Sequence, residues 1–382
     1  MTYELFIHQK DAVEHAKTNN KFVVLASLGS GKTVTLIEIA KSKGAPALFI
    51  VTKATKQKWI KALNDFDCDG VVYTKEEFKK HAREFGKIGG YKTICYDEFQ
   101  SVGNHRSLLT KALLKYISFY EPPYIFGATA TLYTSTWECL YSYNLIFGRK
   151  LDWFKLRGTI CEQVRMGSLM IWRQKKDEET KLFIQNMIAD ISHISVIETG
   201  IPNMKYVDIN CRYTKPSEDD TWHTSYKLEN TKSEKLAYMR DYIVKGTIIC
   251  CYYTDEVEYL KDHYKCPAIS GAYPYLLEYE DVDKYPVIVM QVSTSVGFEL
   301  PNHHRMIFYS YTHSYISYTQ AMGRISRITN IKDNEYIHLV NAYDNRANKS
   351  FKPTFDQGVI ESLKNKEDFD PDKFYKNYKL NK

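Results

Sequence analysis

The sequence contains few of the features that hold small secreted proteins together or anchor proteins in membranes. Its eight cysteines include no C-x-x-C pair, and only Cys250 and Cys251 are adjacent. This spacing indicates neither a zinc site nor a disulfide framework. The chain also lacks an apolar run as long as a membrane span, and its first residues, MTYELFIH, lack the basic start and apolar middle of a secretory signal. We therefore expect a cytoplasmic protein.

Charge of one sign is also not in large excess. The 52 basic and 46 acidic residues give a net charge of +6, which permits a polyanionic partner without requiring one. The apolar fraction of 44% and the charged fraction of 26% are those of a globular protein. Because 382 residues are many for a single hydrophobic core, the length predicts two domains.

Short apolar runs alternate with helix-length amphipathic stretches, an order typical of parallel α/β units. The predicted strands of the first half are residues 22–25, 47–51, 71–73, 93–96 and 124–126. Those of the second half are residues 247–252, 287–292, 306–309 and 336–340. We therefore expect a first α/β lobe over residues 1–145, a helical extension and connection over residues 146–225, and a second lobe with the C-terminal tail over residues 226–382.

A glycine-containing turn follows the first predicted strand directly. The eight residues ASLGSGKT, which begin at Ala26, precede a helix-compatible stretch. Gly29 and Gly31 allow the backbone to bend so that amide N–H groups converge on phosphate oxygens at a helix N-terminus. Lys32 would then reach the β- and γ-phosphates, and Thr33 would place its hydroxyl on Mg²⁺. The strict phosphate-loop pattern begins with glycine, and Ala26 is small enough to leave the turn open.

A pair of adjacent carboxylates, Asp97 and Glu98, follows the predicted strand at residues 93–96. The carboxyl edge of a parallel sheet is where α/β proteins bind ligands. Asp97 would hold Mg²⁺ there, directly or through water, and Glu98 would orient and deprotonate an attacking water. Such a pair is by itself more often a solvated turn, but a phosphate loop in the same lobe favours the catalytic interpretation.

The segment QAMGRISR, which begins at Gln320, contains Arg324 and Arg327. On a helix these two arginines are three residues apart and share one face. Their guanidinium groups would clamp the γ-phosphate and stabilise charge in the transition state, as arginine fingers do. A solvated basic face is an equal alternative in isolation, and the register of Gln320 and Gly323 with both arginines favours the functional interpretation.

These motifs resemble, in their order and over nearly the whole chain, those of superfamily 2 helicases and translocases. ASLGSGKT is similar to that family's A-x-x-G-x-G-K-T loop, DEFQ at residues 97–100 to its Asp-Glu box, and GATAT at residues 127–131 to its coupling element. STSVGFELP at residues 293–301 resembles a second-lobe segment, and QAMGRISR resembles the closing Q-x-x-G-R-x-x-R motif. The family often has Ala-His or Ala-Asp where this chain has Phe99 and Gln100.

The resemblance implies two RecA-like parallel-sheet lobes in tandem, with ATP and Mg²⁺ in a cleft between them. It implies catalytic roles for Lys32, Asp97, Glu98, Gln320, Arg324 and Arg327, and metal binding by Thr33 and Asp97. The implied nucleotide contacts are Gln9, Gly29, Ser30, Gly31, Lys32, Thr33 and Gly297, of which Gln9 has the position of an adenine-reading amide. The implied coupling residues are Gln100, Thr129, Thr131 and Glu299.

In such a motor, hydrolysis removes the charge that bridges the lobes, and nucleic acid gripped by both lobes moves by a step. A grip through phosphates suits movement that does not depend on sequence. The expected contacts follow predicted strands and are Thr52, Lys53, Thr74, Tyr253, Thr254 and Thr294. Each of them, taken singly, also fits an ordinary loop residue.

We expect an ATP-driven helicase or translocase that acts on single-stranded, duplex or forked DNA, with accessory proteins as further partners. IPNMKYVDI at residues 201–209 resembles the start of the second lobe in remodeller-like translocases, and compact phage-type relatives are also similar. One alternative is an RNA-directed helicase, which would contact the 2′-hydroxyl. The other is an ATP-switched binding or loading module with little turnover, against which the intact pair of Asp97 and Glu98 argues.

Overall fold

The computed structural model describes residues 4–27, 29–44, 46–82, 88–133, 137–166, 169–195, 203–209, 232–271, 284–294, 300, 302–325, 334–341, 354–371 and 374. Proximity of Cα atoms divides the chain into two compact units, Met1–Glu198 and Thr199–Lys382. None of the helices within the described ranges has the length and hydropathy needed to span a lipid bilayer.

The first unit is built around a six-stranded sheet. The strands of this unit are β1 (Lys21–Ala26), β2 (Ala47–Val51), β3 (Gly70–Thr74), β4 (Thr93–Asp97), β5 (Tyr124–Thr129), β6 (Cys161–Met166), β7 (Leu169–Gln174) and β8 (Ser192–Ser195). Six of them form the sheet in the order β3-β2-β4-β5-β1-β8, and each neighbouring pair is parallel. Strands β6 and β7 form a separate antiparallel hairpin.

Helices cover both faces of this sheet. On one face lie α1 (Ile7–Thr18), α2 (Lys32–Lys43) and α3 (Lys56–Asp65). On the other face lie α4 (Lys75–His81), α5 (Leu108–Tyr120), α6 (Glu138–Ile146), α7 (Trp153–Ile160) and α8 (Glu178–Ala189). Strands buried on both faces are mostly apolar, and every residue of β2 and β4 is buried, including the polar Thr93 and Asp97 at the two ends of β4.

The second unit repeats this architecture. Its strands are β9 (Asn203–Ile209), β10 (Thr247–Cys251), β11 (Ala268–Ile269), β12 (Val287–Gln291), β13 (Arg305–Phe308) and β14 (Glu335–Asn341). They lie in the order β11-β12-β10-β13-β14-β9, again with parallel neighbours. One face is covered by α9 (Lys232–Met239) and α10 (Thr254–Tyr264), and the other by α11 (Tyr315–Met322) and α12 (Phe355–Lys364).

The predicted fold class is confirmed, because each unit is a RecA-like parallel sheet between two layers of helices. All nine predicted strands are present. The sequence did not predict β6 to β9 or β11. The edge strand β8 is mostly polar and partly buried, and the edge strand β9 is mostly exposed, so neither presents the apolar run by which buried parallel strands are recognised.

Residues 146–225, which the sequence predicts to be a helical extension and a connection, contain α7 and α8 within their described part. The same stretch also contains the hairpin of β6 and β7. Strand β8 joins the sheet of the first unit by pairing with β1, and β9 joins the sheet of the second unit by pairing with β14. The end of this stretch, from residue 210 onward, lies outside the described residues.

Candidate active site

Three of the predicted motifs meet at one edge of the first sheet. The phosphate loop follows β1, the carboxylate pair follows β4, and the coupling element ends β5. Strand β5 lies between β1 and β4, and all three run parallel. The carboxyl ends of the three strands are therefore neighbours, so the side chains that follow them can act on one ligand.

The phosphate loop has the backbone conformation that its glycines allow. Gly29 and Gly31 have φ angles of 74° and 79°, a left-handed region that other residues rarely adopt. Helix α2 begins immediately afterwards, at Lys32. A Cβ atom at Gly31 would lie 2.4 Å from Nε2 of Gln9. Both the backbone angle and the neighbouring side chain therefore require glycine at this position.

The side chains of the loop fit a polyphosphate. Lys32 Nζ donates hydrogen bonds to the carbonyl oxygens of Ala26 at 3.3 Å and Ser27 at 3.1 Å, which keeps the ammonium group over the loop. The hydroxyl oxygens of Ser27 and Ser30 are buried and have no hydrogen-bond partner among the described residues. Buried donors without partners are unfavourable unless a ligand or water meets them. A phosphate group bound to the loop would be such a ligand.

Helix α1 supports the loop from outside. The Gln9 side chain is fully buried, and its Nε2 donates to the carbonyl oxygens of Gly31 at 3.3 Å and Ser30 at 3.4 Å. Its Oε1 accepts from the backbone N–H of Phe6 at 3.0 Å. His8 Nε2 lies 2.9 Å from the Ser30 carbonyl oxygen. The amide of Gln9 therefore holds the phosphate loop. To contact adenine as predicted, it would have to replace these hydrogen bonds with bonds to the base.

Both carboxylate oxygens of Asp97 accept a hydrogen bond from the protein. Trp59 Nε1 donates to Oδ2 at 3.1 Å, and the backbone N–H of Glu98 donates to Oδ1 at 3.0 Å. Burial and the neighbouring Glu98 raise the pKa of Asp97, while Lys75, Lys32 and the Trp59 hydrogen bond oppose that rise. The carboxylate is thus fixed in orientation, as a metal ligand needs to be.

Trp59 and Lys75 are site residues that the sequence did not reveal. The Trp59 side chain is 1% exposed and comes from α3, 38 positions before Asp97. Lys75 begins α4 and donates to the carbonyl oxygen of Glu98 at 3.4 Å. Burial lowers the pKa of Lys75, and the negative charges of Asp97 and Glu98 act in the opposite direction. The only sequence signal was their position after predicted strands, since Lys75 lies two residues after the strand at 71–73 and Trp59 lies eight residues after the strand at 47–51.

A continuous set of hydrogen bonds joins the carboxylate pair to the coupling element. Gln100 Nε2 donates to Glu98 Oε2 at 2.6 Å, and Thr129 Oγ1 donates to Gln100 Oε1 at 2.6 Å. The backbone N–H of Thr131 donates in turn to Thr129 Oγ1 at 3.1 Å. Glu98 has a left-handed backbone with a φ of 54°, which directs its side chain toward this chain of bonds. The structure therefore brings together four of the predicted residues.

Phe99, where the family often has alanine, fits because of a glycine in the coupling element. Its ring is fully buried and stacks on Phe147 with 5.5 Å between ring centroids. A Cβ atom at Gly127 would lie 2.4 Å from the Phe99 ring. The larger residue in the Asp-Glu box and the glycine at the start of the coupling element are therefore complementary, and the box packs directly against β5.

The predicted nucleic-acid contacts of the first unit lie at strand ends, as expected. Thr52 follows β2, with its hydroxyl oxygen 2.8 Å from that of Thr55, and Lys53 is exposed. Thr74 is buried and caps α4, where its hydroxyl accepts from the N–H of Glu77 at 3.1 Å. A contact of the Thr74 side chain with nucleic acid would have to replace that bond. These three contacts stay predictions.

In the second unit, Tyr253 and Thr254 begin α10, directly after β10. Thr254 Oγ1 accepts from Gln291 Nε2 at 3.3 Å. Thr294 Oγ1 donates to the carbonyl oxygens of Gln291 at 2.9 Å and of Ile269, in the neighbouring strand β11, at 3.1 Å. All three lie at the carboxyl edge of the second sheet, and their contact with nucleic acid stays a prediction.

The arginine motif departs from the predicted geometry. Helix α11 ends at Met322, and Arg324 follows in a turn rather than on the helix, while the shared face of the two arginines stays a prediction. The Arg324 side chain is 7% exposed, and its Nε donates to the carbonyl oxygen of Gln320 at 2.8 Å. Arg327 lies outside the described residues, as do the predicted nucleotide contact Gly297 and the predicted coupling residue Glu299.

No cluster of three or more His, Cys, Asp and Glu side chains within the described ranges is placed to hold a metal ion. A magnesium ion bound with a nucleotide does not need such a cluster, because the phosphates and water supply most of its ligands. Thr33, in the first turn of α2, and Asp97, at the end of β4, are the two predicted protein ligands. Their hydroxyl and carboxylate oxygens are of the type that Mg²⁺ prefers.

No protein-family model matches the chain, and no curated protein matches it either. Among solved structures, the chain is similar to the SWI2/SNF2 ATPase core of Sulfolobus solfataricus, which was solved in complex with dsDNA. The sequence identity is 15%, the alignment covers 95% of each chain, and the TM-score is 0.46. At this identity the likeness concerns the architecture of the chain and does not extend to its chemistry.

Proposed function

We propose that this protein hydrolyses ATP and uses the energy to move along or unwind DNA. The observation that supports this most strongly is the set of hydrogen bonds from Glu98 through Gln100 to Thr129. These residues lie at the same edge of the sheet as the phosphate loop. A site that only binds nucleotide has no need of a water-activating carboxylate tied to a second structural element. A motor needs both, because hydrolysis must alter the protein around it.

The catalytic roles follow from the positions of the side chains. The backbone N–H groups of the loop and Lys32 would bind the β- and γ-phosphates, with the N-terminus of α2 adding its positive end. Thr33 and Asp97 would hold Mg²⁺, which supplies charge neutralisation on the phosphates when it is bound. Glu98 would accept a proton from the attacking water and is oriented for this by the Gln100 amide.

Gln100 is chemically suited to its place between Glu98 and Thr129. Its amide nitrogen donates to a carboxylate while its amide oxygen accepts from a hydroxyl. An aliphatic side chain at this position would make neither bond. We propose that this amide carries changes at Glu98 to the coupling element at Thr129 and Thr131, the role for which the family often uses histidine or aspartate.

The second unit is proposed to contribute Gln320, Arg324 and Arg327 to hydrolysis, with the arginines stabilising the γ-phosphate in the transition state. Gly297 is proposed as a nucleotide contact and Glu299 as a coupling residue. We propose Thr52, Lys53, Thr74, Tyr253, Thr254 and Thr294 as contacts to the nucleic-acid backbone. The division into lobes at residues 1–145 and 226–382, and cytoplasmic location, remain part of the same proposal.

Steady-state ATP hydrolysis, measured without nucleic acid and with single-stranded, duplex and forked DNA and with RNA, tests this function. We expect stimulation by DNA, and Lys32→Ala and Glu98→Gln should each abolish turnover. Arg324→Ala should lower turnover on the order of 10³-fold or more. Stimulation by RNA alone would establish the RNA-directed alternative, and binding of ATP without measurable turnover would establish the switch. Near-normal stimulated hydrolysis by Glu98→Gln would contradict the role of Glu98.

A further inference from the structure

The hairpin formed by β6 and β7 exposes apolar and aromatic side chains. Met170 is 58% exposed and Trp172 is 40% exposed, and Phe154 in the adjacent helix α7 is 70% exposed. Large apolar side chains that are exposed together mark interaction surfaces more often than single ones do. The hairpin pairs only with itself in the described part of the chain, so packing within the sheet of the first unit does not explain these side chains.

The strand register places basic and aromatic side chains on the same face of the hairpin. Trp172 is opposite Gln163, and Met170 is opposite Arg165, two positions further along each strand. Opposite residues of an antiparallel pair share a face, and so do residues two apart along a strand. The guanidinium carbon of Arg157 lies 4.2 Å from the centroid of the Trp172 ring. We call the face defined by Trp172, Arg165, Met170 and Arg157 the tryptophan face.

The charge around this face favours an anionic partner. Residues 155–176 contain six basic residues and one acidic residue, Glu162. The basic residues are Lys155, Arg157, Arg165, Arg173, Lys175 and Lys176. Two of them, Arg165 and Arg173, lie in the hairpin itself, and the others lie in α7 or directly after β7. A basic surface that also exposes aromatic rings is suited to single-stranded nucleic acid, in which phosphates and unpaired bases are both accessible.

The base of the hairpin is fixed to the rest of the first unit. Gln174 Oε1 accepts from the hydroxyl of Tyr133 at 2.8 Å, and Tyr133 lies two residues after Thr131. Lys175 Nζ donates to the carbonyl oxygen of Thr159 at 2.9 Å, and the backbone N–H of Lys175 donates to Ile160. The base of the hairpin is therefore held both by α7 and by the segment that continues from the coupling element.

We propose that the tryptophan face of the β6–β7 hairpin binds single-stranded nucleic acid, with an unpaired base stacked on Trp172 and phosphates bound by Arg157 and Arg165. This proposal rests on the proposed function for the class of partner and adds a binding surface that none of the sequence motifs includes. A stacked base adds π-stacking and dispersion contacts to the Trp172 ring, which already makes a cation–π contact with Arg157. Duplex DNA offers no free base faces and should use this surface less.

The test is the affinity for a fluorescein-labelled oligothymidylate, measured by fluorescence anisotropy on the full chain. Trp172→Ala should raise Kd about 5- to 150-fold, the range expected for loss of one base–aromatic stack. Trp172→Phe should recover much of the affinity. The matched control is Ile171→Ala, because Ile171 is exposed on the opposite face of the same strand. Its Kd should match the wild type.

Arginine variants test whether binding depends on the tryptophan face or only on the positive charge of the hairpin. Arg165→Ala should weaken binding more than Arg173→Ala, since Arg173 points to the opposite face. Equal losses in these two variants, an unchanged Kd in Trp172→Ala, or an equal loss in Ile171→Ala would each overturn the proposal. The proposal would also be overturned if Trp172→Ala lost as much affinity for duplex DNA as for oligothymidylate. The proposed function is tested separately by DNA-stimulated hydrolysis of the wild type, so each proposal can fail without the other.

Discussion

At the scale of single residues, the candidate active site contains Trp59 in addition to the predicted motif residues. Its indole N–H is a neutral donor to the Asp97 carboxylate, and a hydrogen bond to a charged group contributes about 1.5–3 kcal/mol. Trp59 belongs to α3, which follows the segment of Thr52 and Lys53 directly. A short segment of chain and one hydrogen bond therefore join the predicted nucleic-acid contacts after β2 to Asp97, the predicted magnesium ligand.

Trp59→Phe should keep the packing of the ring against Phe49 but remove the donor to Asp97. We expect kcat to fall roughly tenfold and the Mg²⁺ concentration for half-maximal activity to rise, because one carboxylate oxygen is no longer oriented. The measurement is steady-state ATP hydrolysis in a Mg²⁺ titration. Trp137→Phe is the matched control, and it should leave the titration unchanged. An unaltered Mg²⁺ dependence in Trp59→Phe would show that Trp59 does not position Asp97.

Gly31→Ala should abolish nucleotide binding. The alanine would adopt a φ of 79° at a cost of about 1–2 kcal/mol, and its Cβ atom would displace Gln9 from the loop. Gly44→Ala is an informative control, because Gly44 has a φ of 81° and nothing within 4 Å of an added Cβ atom. It should lower stability by a similar backbone cost but leave ATP affinity intact. Calorimetric titration with ATP and thermal unfolding distinguish the two effects.

At the scale of elements, the end of β4 and the end of β5 act together through Gln100. Thr129→Val keeps the shape of the side chain but removes the hydroxyl that donates to the Gln100 amide. We expect the KM for ATP to stay near its wild-type value while stimulation by DNA falls about tenfold or more. A tenfold change in rate corresponds to the free energy of about one buried hydrogen bond. Rates with and without DNA, measured side by side, give the ratio directly.

The control for Thr129→Val is Thr93→Val at the opposite end of β4. Thr93 is fully buried, and its hydroxyl oxygen has no hydrogen-bond partner among the described residues. Removal of that hydroxyl should be neutral or stabilising, since a buried donor without a partner is unfavourable. Equal loss of DNA stimulation in both variants would indicate general damage to the sheet rather than a broken link at Gln100.

At the scale of the whole molecule, the second unit should be the acid-sensitive one. His338 in β14 is buried and stacks on Phe308, and its Nε2 lies 2.8 Å from the Tyr318 hydroxyl oxygen. Burial lowers the pKa of His338 from 6.5 to about 3. Between these values the unfolded chain binds a proton that the folded unit does not, so stability is lost as the pH falls below about 6.5.

The expected loss between pH 7 and pH 5 is about 2 kcal/mol in the free energy of unfolding. This loss is measured by urea unfolding at several pH values, with circular dichroism used to monitor the unfolding of the second unit. His338→Gln should flatten the pH dependence across this window, whereas substitution of the exposed His304 by Gln should preserve it. A wild-type protein with the same stability at pH 5 and pH 7 would contradict a neutral, buried His338.

The sequence predicts those parts of the architecture whose signals lie within a short stretch of the chain. A strand such as β2, buried on both faces, is an apolar run, and the phosphate loop is eight consecutive residues. The helix end before Arg324 was missed, because a glycine at position 323 fits both a continuing helix and a C-terminal cap. The contacts of Gln9 with the loop and of Trp59 with Asp97 join residues 22 and 38 positions apart.

The sequence by itself determined the succession of strands and helices, the phosphate loop and the carboxylate pair, because periodicity and turn chemistry act over a few neighbouring residues. Only the tertiary structure decided that Gln9 supports the loop, that Trp59 orients Asp97, and that Gln100 links Glu98 to Thr129. Those contacts depend on which strand ends become neighbours in the sheet. Strand order is set by the burial of whole faces, and no short stretch of the chain encodes it.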